Sequence, residues 1–135
     1  MSEQENLQTV KRVYEAFVKG DLQAILRPLT DDVDWQIVGS FKRVPWPSAW
    51  RGRRELEKYF RTLAEALDVE VFQPDEFIAA GDNVVVLGHE RMRARATGRV
   101  VEAKWAQVWT LRDGLVSRYR EYTDTAAWEA GFPRG

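Results

Sequence analysis

Residues 84–125 read VVVLGHERMRARATGRVVEAKWAQVWTLRDGLVSRYREYTDT, and the alternation in this stretch decides the fold. Arg91, Arg93 and Arg95 alternate with Glu90, Met92, Ala94 and Ala96. Residues two apart in a strand share a face, so the arginines take one face, and Glu90 with the small and apolar groups takes the other. Guanidinium groups need water or a partner, which makes theirs the outer face and turns Glu90 inward. Thr97-Gly98 reads as a two-residue hairpin turn, and Arg112-Asp113-Gly114 as a three-residue hairpin with glycine in the left-handed position. The stretch is therefore three antiparallel strands, Val84–Ala96, Val100–Arg112 and Leu115–Thr125. The middle one carries Trp105, Gln107, Trp109 and Leu111 on a single face.

These turns imply a register. The first sets Ala96 opposite Arg99 and hence Glu90 opposite Trp105. The second sets Leu111 opposite Leu115 and hence Glu121 opposite Trp105. Glu90, Trp105 and Glu121 are then expected in one inward row across three strands. Burial raises a carboxyl pKa, and a second carboxylate nearby raises one of the two further. Such a pair suits general acid and general base work near neutral pH. The alternative is that each glutamate pairs with a buried arginine or lies at a wet mouth.

Upstream, Leu7, Val10, Val13, Tyr14, Phe17 and Val18 recur at three- and four-residue spacing, which predicts a helix over Glu3–Lys19. Gly20 stands at its C-cap, and Asp21 caps a short second helix, Leu22–Leu29, disturbed by Pro28. Val33, Trp35 and Ile37 alternate with polar residues, giving a strand over Asp31–Val38. GSFKRVPWPSAWRG follows as a long loop whose tryptophans fold inward as a lid or pocket wall. Arg51–Leu67 is a helix with a stripe of Leu56, Tyr59, Phe60, Leu63 and Leu67. Val69–Ala79, interrupted by Pro74, opens the four-strand meander, and the tail AAWEAGFPRG is a helical turn or coil. With no repeat or linker, residues 1–135 form a single domain. Helices segregated from an antiparallel sheet place it in the α+β class.

Composition narrows the function. The 20 basic and 21 acidic residues leave a net charge of −1, so no global field would hold nucleic acid or an anionic membrane. There is no cysteine, which excludes disulfides and thiolate metal sites, and a lone histidine makes a transition-metal centre improbable. That histidine, His89, falls by parity on the outer face. Arg91, Arg93, Arg95, Lys104, Arg118 and Arg120 also gather there, as a solvated or dimer-facing surface. The N-terminus is polar and no apolar run reaches membrane-spanning length, so a cytoplasmic protein is expected. Six tryptophans in 135 residues point either to a large-residue core or to an aromatic ligand pocket. Trp35, Trp46, Trp50, Trp105 and Trp109 are the candidate walls. Trp128 is expected over an open end or against a second subunit.

Three pieces, KGDLQAILRPLTDDVDW, WRGRRELEKYF and VWTLRDGLVSRYREYTDTAAW, together with the order of elements, resemble the nuclear transport factor 2-like superfamily and its SnoaL-like group. The resemblance covers nearly the whole chain. It implies a cone-shaped curved antiparallel sheet with helices packed on the concave face (the cystatin-like arrangement), and a homodimer through the outer sheet face. Among its members, ketosteroid isomerases use a carboxylate base, a Tyr and a protonated Asp. Those positions fall on Gln36, near Tyr14 and on Gln107. Limonene epoxide hydrolases use an Asp-Arg-Asp set, which falls on Glu90, Gly88 and Glu121. SnoaL-like polyketide cyclases use an acidic residue on a late strand, for which Glu121 is the candidate and Asp124 the runner-up.

The expected site is thus Glu121, Glu90 and Asp124 for proton transfer, within a pocket of Tyr14, Phe17, Phe60, Tyr119, Gln36, Gln107 and the five tryptophans. The ligand is a small hydrophobic organic molecule and no cofactor is expected. Gln36 and Gln107 would donate to a carbonyl or a developing oxyanion. The reaction would be isomerisation, cyclisation or hydration. The competing reading is a module that binds a ligand or a partner without catalysis.

Overall fold

Caps set the helices where their sequence signals stand. The computed structural model describes residues 2–133. Helix α1 (Glu3–Lys19) begins at Ser2, whose hydroxyl accepts the Glu5 N–H at 3.0 Å, and stops at Gly20, in the left-handed region at φ 69°. Its apolar face buries Val10, Val13, Tyr14 and Ala16. Asp21 caps α2 (Leu22–Leu26) by accepting the Ala24 N–H. That helix stops three residues short of the expected Leu29: Arg27 is still helical at φ −55° and donates to Gln23 O, but Pro28 has no N–H with which to continue the ladder. Leu29 instead opens β1 (Leu29–Val38).

The long loop is shorter than expected, since Ala49–Arg51 forms a brief strand, β2, pairing Trp50 with Trp35 on β1. Helix α3 (Gly52–Ala66) runs without a break into β3 (Leu67–Ala80), and β4 (Asn83–Ala94), β5 (Val100–Arg112) and β6 (Leu115–Thr123) complete the meander. The tail forms α4 (Thr125–Gly131), capped by Asp124. Its last two residues lie outside the described residues. Pro74 sits at a bulge on β3, an edge strand, where a missing N–H disturbs little.

The sheet is a single layer in the order β2-β1-β6-β5-β4-β3. Every joint is antiparallel except β1–β6, which is parallel, so the sheet is mixed. A parallel pair needs a long crossover, and the chain between β1 and β6 supplies it. Helices α1 and α3 pack against the sheet, and α4 packs on β5. Among the described residues no helix is long and apolar enough to cross a membrane.

The register differs from expectation on both sides of β5. Residues 95–98 make a four-residue loop closed by Ala94 N–H to Arg99 O at 2.8 Å, in place of the two-residue Thr97-Gly98 turn. Glu90 therefore pairs with Ala103, and Trp105 with Gly88. At the next hairpin Asp113 (φ 53°) and Gly114 (φ 80°) are both left-handed, which makes a two-residue turn with Arg112 opposite Leu115. An irregularity between Thr110 and Leu111 then shifts the pairing, so Gln107 faces Glu121 and Trp105 faces Thr123. Each correction amounts to two residues, which moves partners but preserves faces. Glu90 and Glu121 both remain inward, yet the single row through Trp105 does not form.

Candidate active site

Between the sheet and the helices lies a cavity of about 510 Å³. Its polar centre is built outward from β5. Trp109, an indole with only a donor to offer, gives its N–H to the Tyr14 hydroxyl at 2.9 Å. Tyr14, accepting there, donates to Gln107 Oε1 at 2.5 Å. The amide group of Gln107 is thereby turned with its NH₂ toward Glu121, which accepts at 2.8 Å on Oε1. Tyr119 donates to the same oxygen at 2.6 Å. The chain of donors runs one way and ends on Glu121, an arrangement that favours its charged form.

Glu90 has the opposite surroundings. It is 6% exposed, and its Oε2 is buried without a hydrogen-bond partner. Burial first, and the charge of Glu121 second, push its carboxyl well above the ordinary range, and the Trp128 indole opposes the rise. Burial also raises Glu121, but the Tyr119 and Gln107 hydrogen bonds hold it back. Two neighbouring carboxyls with environments that pull them apart mark one as the acid and the other as the base. Tyr14, Tyr59 and Tyr119 are pushed above their usual range by burial and by the charge of Glu121. All three hydroxyls keep their protons.

The expected aromatic wall is largely present. Trp35 stacks on Tyr119 at 3.7 Å and meets Trp109 edge-on at 5.6 Å, while Phe17 and Phe60 close the helical side. Trp46 lines the cavity from the loop before β2 and packs edge-on against Trp128 and Phe132. Glu129 of α4 pins that loop by accepting the backbone N–H groups of Lys42, Arg43 and Val44 at 3.1, 2.9 and 3.3 Å.

Four expected residues lie elsewhere. Gln36 alternates with Trp35 and Ile37 and so sits on the other face of β1, off the cavity. Trp50 turns its N–H to Pro47 O at 2.8 Å and packs on Tyr59 behind the wall. Trp105 is core, stacked on Phe72 at 5.2 Å, with its ring in the space that a side chain at Gly88 would need. Asp124 is spent on the α4 cap, accepting the Ala127 N–H at 3.0 Å. Gln107 is in place: its carbonyl oxygen accepts from Tyr14 and one N–H of its amide donates to Glu121, so it positions Glu121.

Sequence reasoning missed Tyr59, Phe72, Met92 and Trp128 as cavity residues. Tyr59 was detectable, since it adjoins Phe60 on the α3 stripe. Met92 shares the face of Glu90 two residues on. Trp128 carried no periodic signal, because α4 is only seven residues long.

A family model described as SnoaL-like domain matches residues 10–119. The chain is a SnoaL-like domain. An uncharacterized protein of Mycobacterium tuberculosis (strain H37Rv) is 26% identical to it over 131 residues, covering 96% of this chain and 98% of that protein. A crystal structure of a nuclear transport factor 2-like protein from Burkholderia xenovorans LB400 superposes on this domain with a TM-score of 0.88 at 32% identity. That match covers 98% of this chain and 99% of the other. An LEH-like epoxide hydrolase of M. tuberculosis shares the fold at a TM-score of 0.76 and 20% identity, over 96% of this domain and 90% of its own chain. The SnoaL-like domain therefore has its place in the nuclear transport factor 2-like superfamily, with the α+β cone that its sequence implies.

Proposed function

We propose that this domain is an enzyme that moves protons on a small, largely apolar organic substrate without a cofactor, in an isomerisation, cyclisation or hydration. The observation that carries the reading is the unequal carboxyl pair on one cavity wall. Glu121 is fixed by neutral donors as the base, and Glu90, with a bare buried oxygen, holds the proton as the acid. Tyr119 and Gln107 orient Glu121. Aromatic walls exclude water, which strengthens every electrostatic interaction within.

An epoxide hydrolase of the limonene type is less well supported. Its cation would stand at Gly88, where even a Cβ would come within 2.4 Å of the Trp105 ring. A non-catalytic binding module is favoured by one observation: Glu121 Oε1 already accepts two hydrogen bonds, which weakens it as a base.

The experiment is a titration of tryptophan fluorescence with an epoxide, a steroid enone, a polyketide-like aromatic ester and a fatty acid, each followed by product analysis. Saturable quenching with product formation, lost in Glu121→Gln and Glu90→Gln, is the expected result. Quenching without product would make the domain a binding module.

The proposal extends to a homodimer through the outer sheet face. There Leu87, Ala106 and Tyr122 form one cross-strand row and Ile78, Val85 and Val108 a second, with Leu87, Tyr122 and Ile78 exposed. Sedimentation would show a monomer if that part is wrong. It also places the protein in the cytoplasm, where a cysteine-free domain needs no oxidising compartment to fold.

A further inference from the structure

Among the described residues the cavity wall carries two acids, Glu90 and Glu121, and no base beside them. Burial, Glu121 and the Trp128 indole act on Glu90, while burial, Tyr119 and Gln107 act on Glu121. No lysine or arginine enters either set. Among the described lining residues the bases are Lys19 and Arg61. Both are exposed, and Arg61 is tied to Glu57 at 2.8 Å. Glu121 is fixed as an acceptor by the donor chain from Trp109 and by Tyr119, so its charge is solvated only by neutral groups.

A buried charge without a counter-ion is costly, and the cost is relieved by whatever brings the opposite charge. Aromatic rings border the same cavity beside Glu121. Trp35, Tyr59, Trp109 and Tyr119 pack on one another at centroid distances of 3.7 to 6.3 Å, and all four border the cavity. Aromatic faces next to a carboxylate attract an organic cation through the ring quadrupole and the charge together. Neutral ligands satisfy the apolar walls but leave the carboxylate unpaired, and anionic ligands are repelled by it.

We propose that the cavity takes a ligand bearing a compact organic cation, a protonated amine in the simplest case, whose N–H meets Glu121 while its apolar body fills the aromatic chamber. This rests on the cavity being a ligand site, as read above, but not on turnover.

The test is calorimetric titration of the intact protein with naphthylmethylamine, naphthylmethanol and naphthoic acid, which share one ring system and differ in charge. The amine is expected to bind more tightly than the alcohol by at least about tenfold, with the acid weakest. In Glu121→Gln the preference for the amine collapses while alcohol binding persists, which also shows that the variant is folded. If that variant does not fold, the wild-type ranking decides alone. The proposal is overturned if the alcohol or the acid binds as tightly as the amine, if the amine gives no heat up to millimolar concentration, or if Glu121→Gln keeps the preference. Turnover of uncharged substrates with no amine preference would overturn this inference and leave the catalytic reading standing. Amine binding without turnover of any compound would do the reverse.

Discussion

On the outer face of the sheet Glu70 lies between Arg91 and Arg93 at 2.8 and 2.9 Å, Asp68 meets Arg95 at 2.9 Å, and Asp34 meets Arg120 at 2.9 Å. On the inner face, among the described residues, Glu90 and Glu121 have only neutral groups and each other. Strand alternation produces the contrast. Arg91 adjoins Glu90 in sequence and Arg120 adjoins Glu121, yet both turn outward, Arg120 to the Asp34 carboxylate and carbonyl. Among the described residues no lysine or arginine therefore stands against the two acids that line the cavity. Outside, pairing is easily arranged and worth little. Inside, its absence leaves two carboxyls perturbed, and such groups cluster where a protein does chemistry.

The largest effect expected from disturbing this arrangement is kinetic. Glu121→Gln keeps the shape of the side chain and removes its charge, so turnover of any accepted substrate should fall at least about a hundredfold, the usual contribution of a general base. Steady-state assays on the panel above measure it, and full retention of turnover would remove Glu121 from the mechanism. A second way to break the contrast is to build at Gly88, the position at which the resemblance to limonene epoxide hydrolases would put a cation. Gly88→Ala would set its Cβ 2.4 Å from the Trp105 ring and 2.5 Å from the Gln73 carbonyl, and the strand and ring must shift. The expected loss is about 1–3 kcal/mol in urea denaturation, as for other overpacked cores.

Glu90→Gln sharpens the comparison through pH. The Glu90 carboxyl lies well above its ordinary value near 4.5 in the folded protein, because burial disfavours its charge. Its contribution to stability is therefore complete below that ordinary value and is lost as pH rises toward and through the folded value. The glutamine variant has no such loss. Its stability relative to the parent should increase from pH 5 to pH 8, measured by denaturation at the two pH values. A constant difference would place Glu90 in water. The smallest effect belongs to the outer face. Arg95→Ala removes a half-exposed ion pair with Asp68 and should cost no more than about 1 kcal/mol by the same measurement, less at high salt.

Much of this architecture was readable in the sequence because it rests on period and punctuation. The arginine alternation assigned the faces of β4, and the Gly20 and Asp21 signals set the ends of α1 and α2. What failed was distance along the strand. The turn before β5 closes two residues earlier than Thr97-Gly98 suggests, and the irregularity at Thr110 leaves no mark in composition. Parity survived both shifts, so Glu90, Glu121, Gln107 and Trp109 were placed on the correct face with the wrong neighbours. Trp50 and Asp124 were misread for another reason. A loop tryptophan and a strand-end aspartate look like site residues until the backbone shows a packing partner for one and a helix to cap for the other. The pinning of residues 42–44 by Glu129 joins parts of the chain more than 80 residues apart, and no local pattern announces it.

The central claim is that the two inner carboxyls differ in protonation. The most direct measurement is a pH titration of the glutamate side-chain carboxyl carbons by NMR, assigned through Glu90→Gln and Glu121→Gln. The account predicts that Glu121 loses its proton first and that Glu90 remains protonated at neutral pH. Two carboxyls titrating together near 4.5, the ordinary glutamate value, would contradict it.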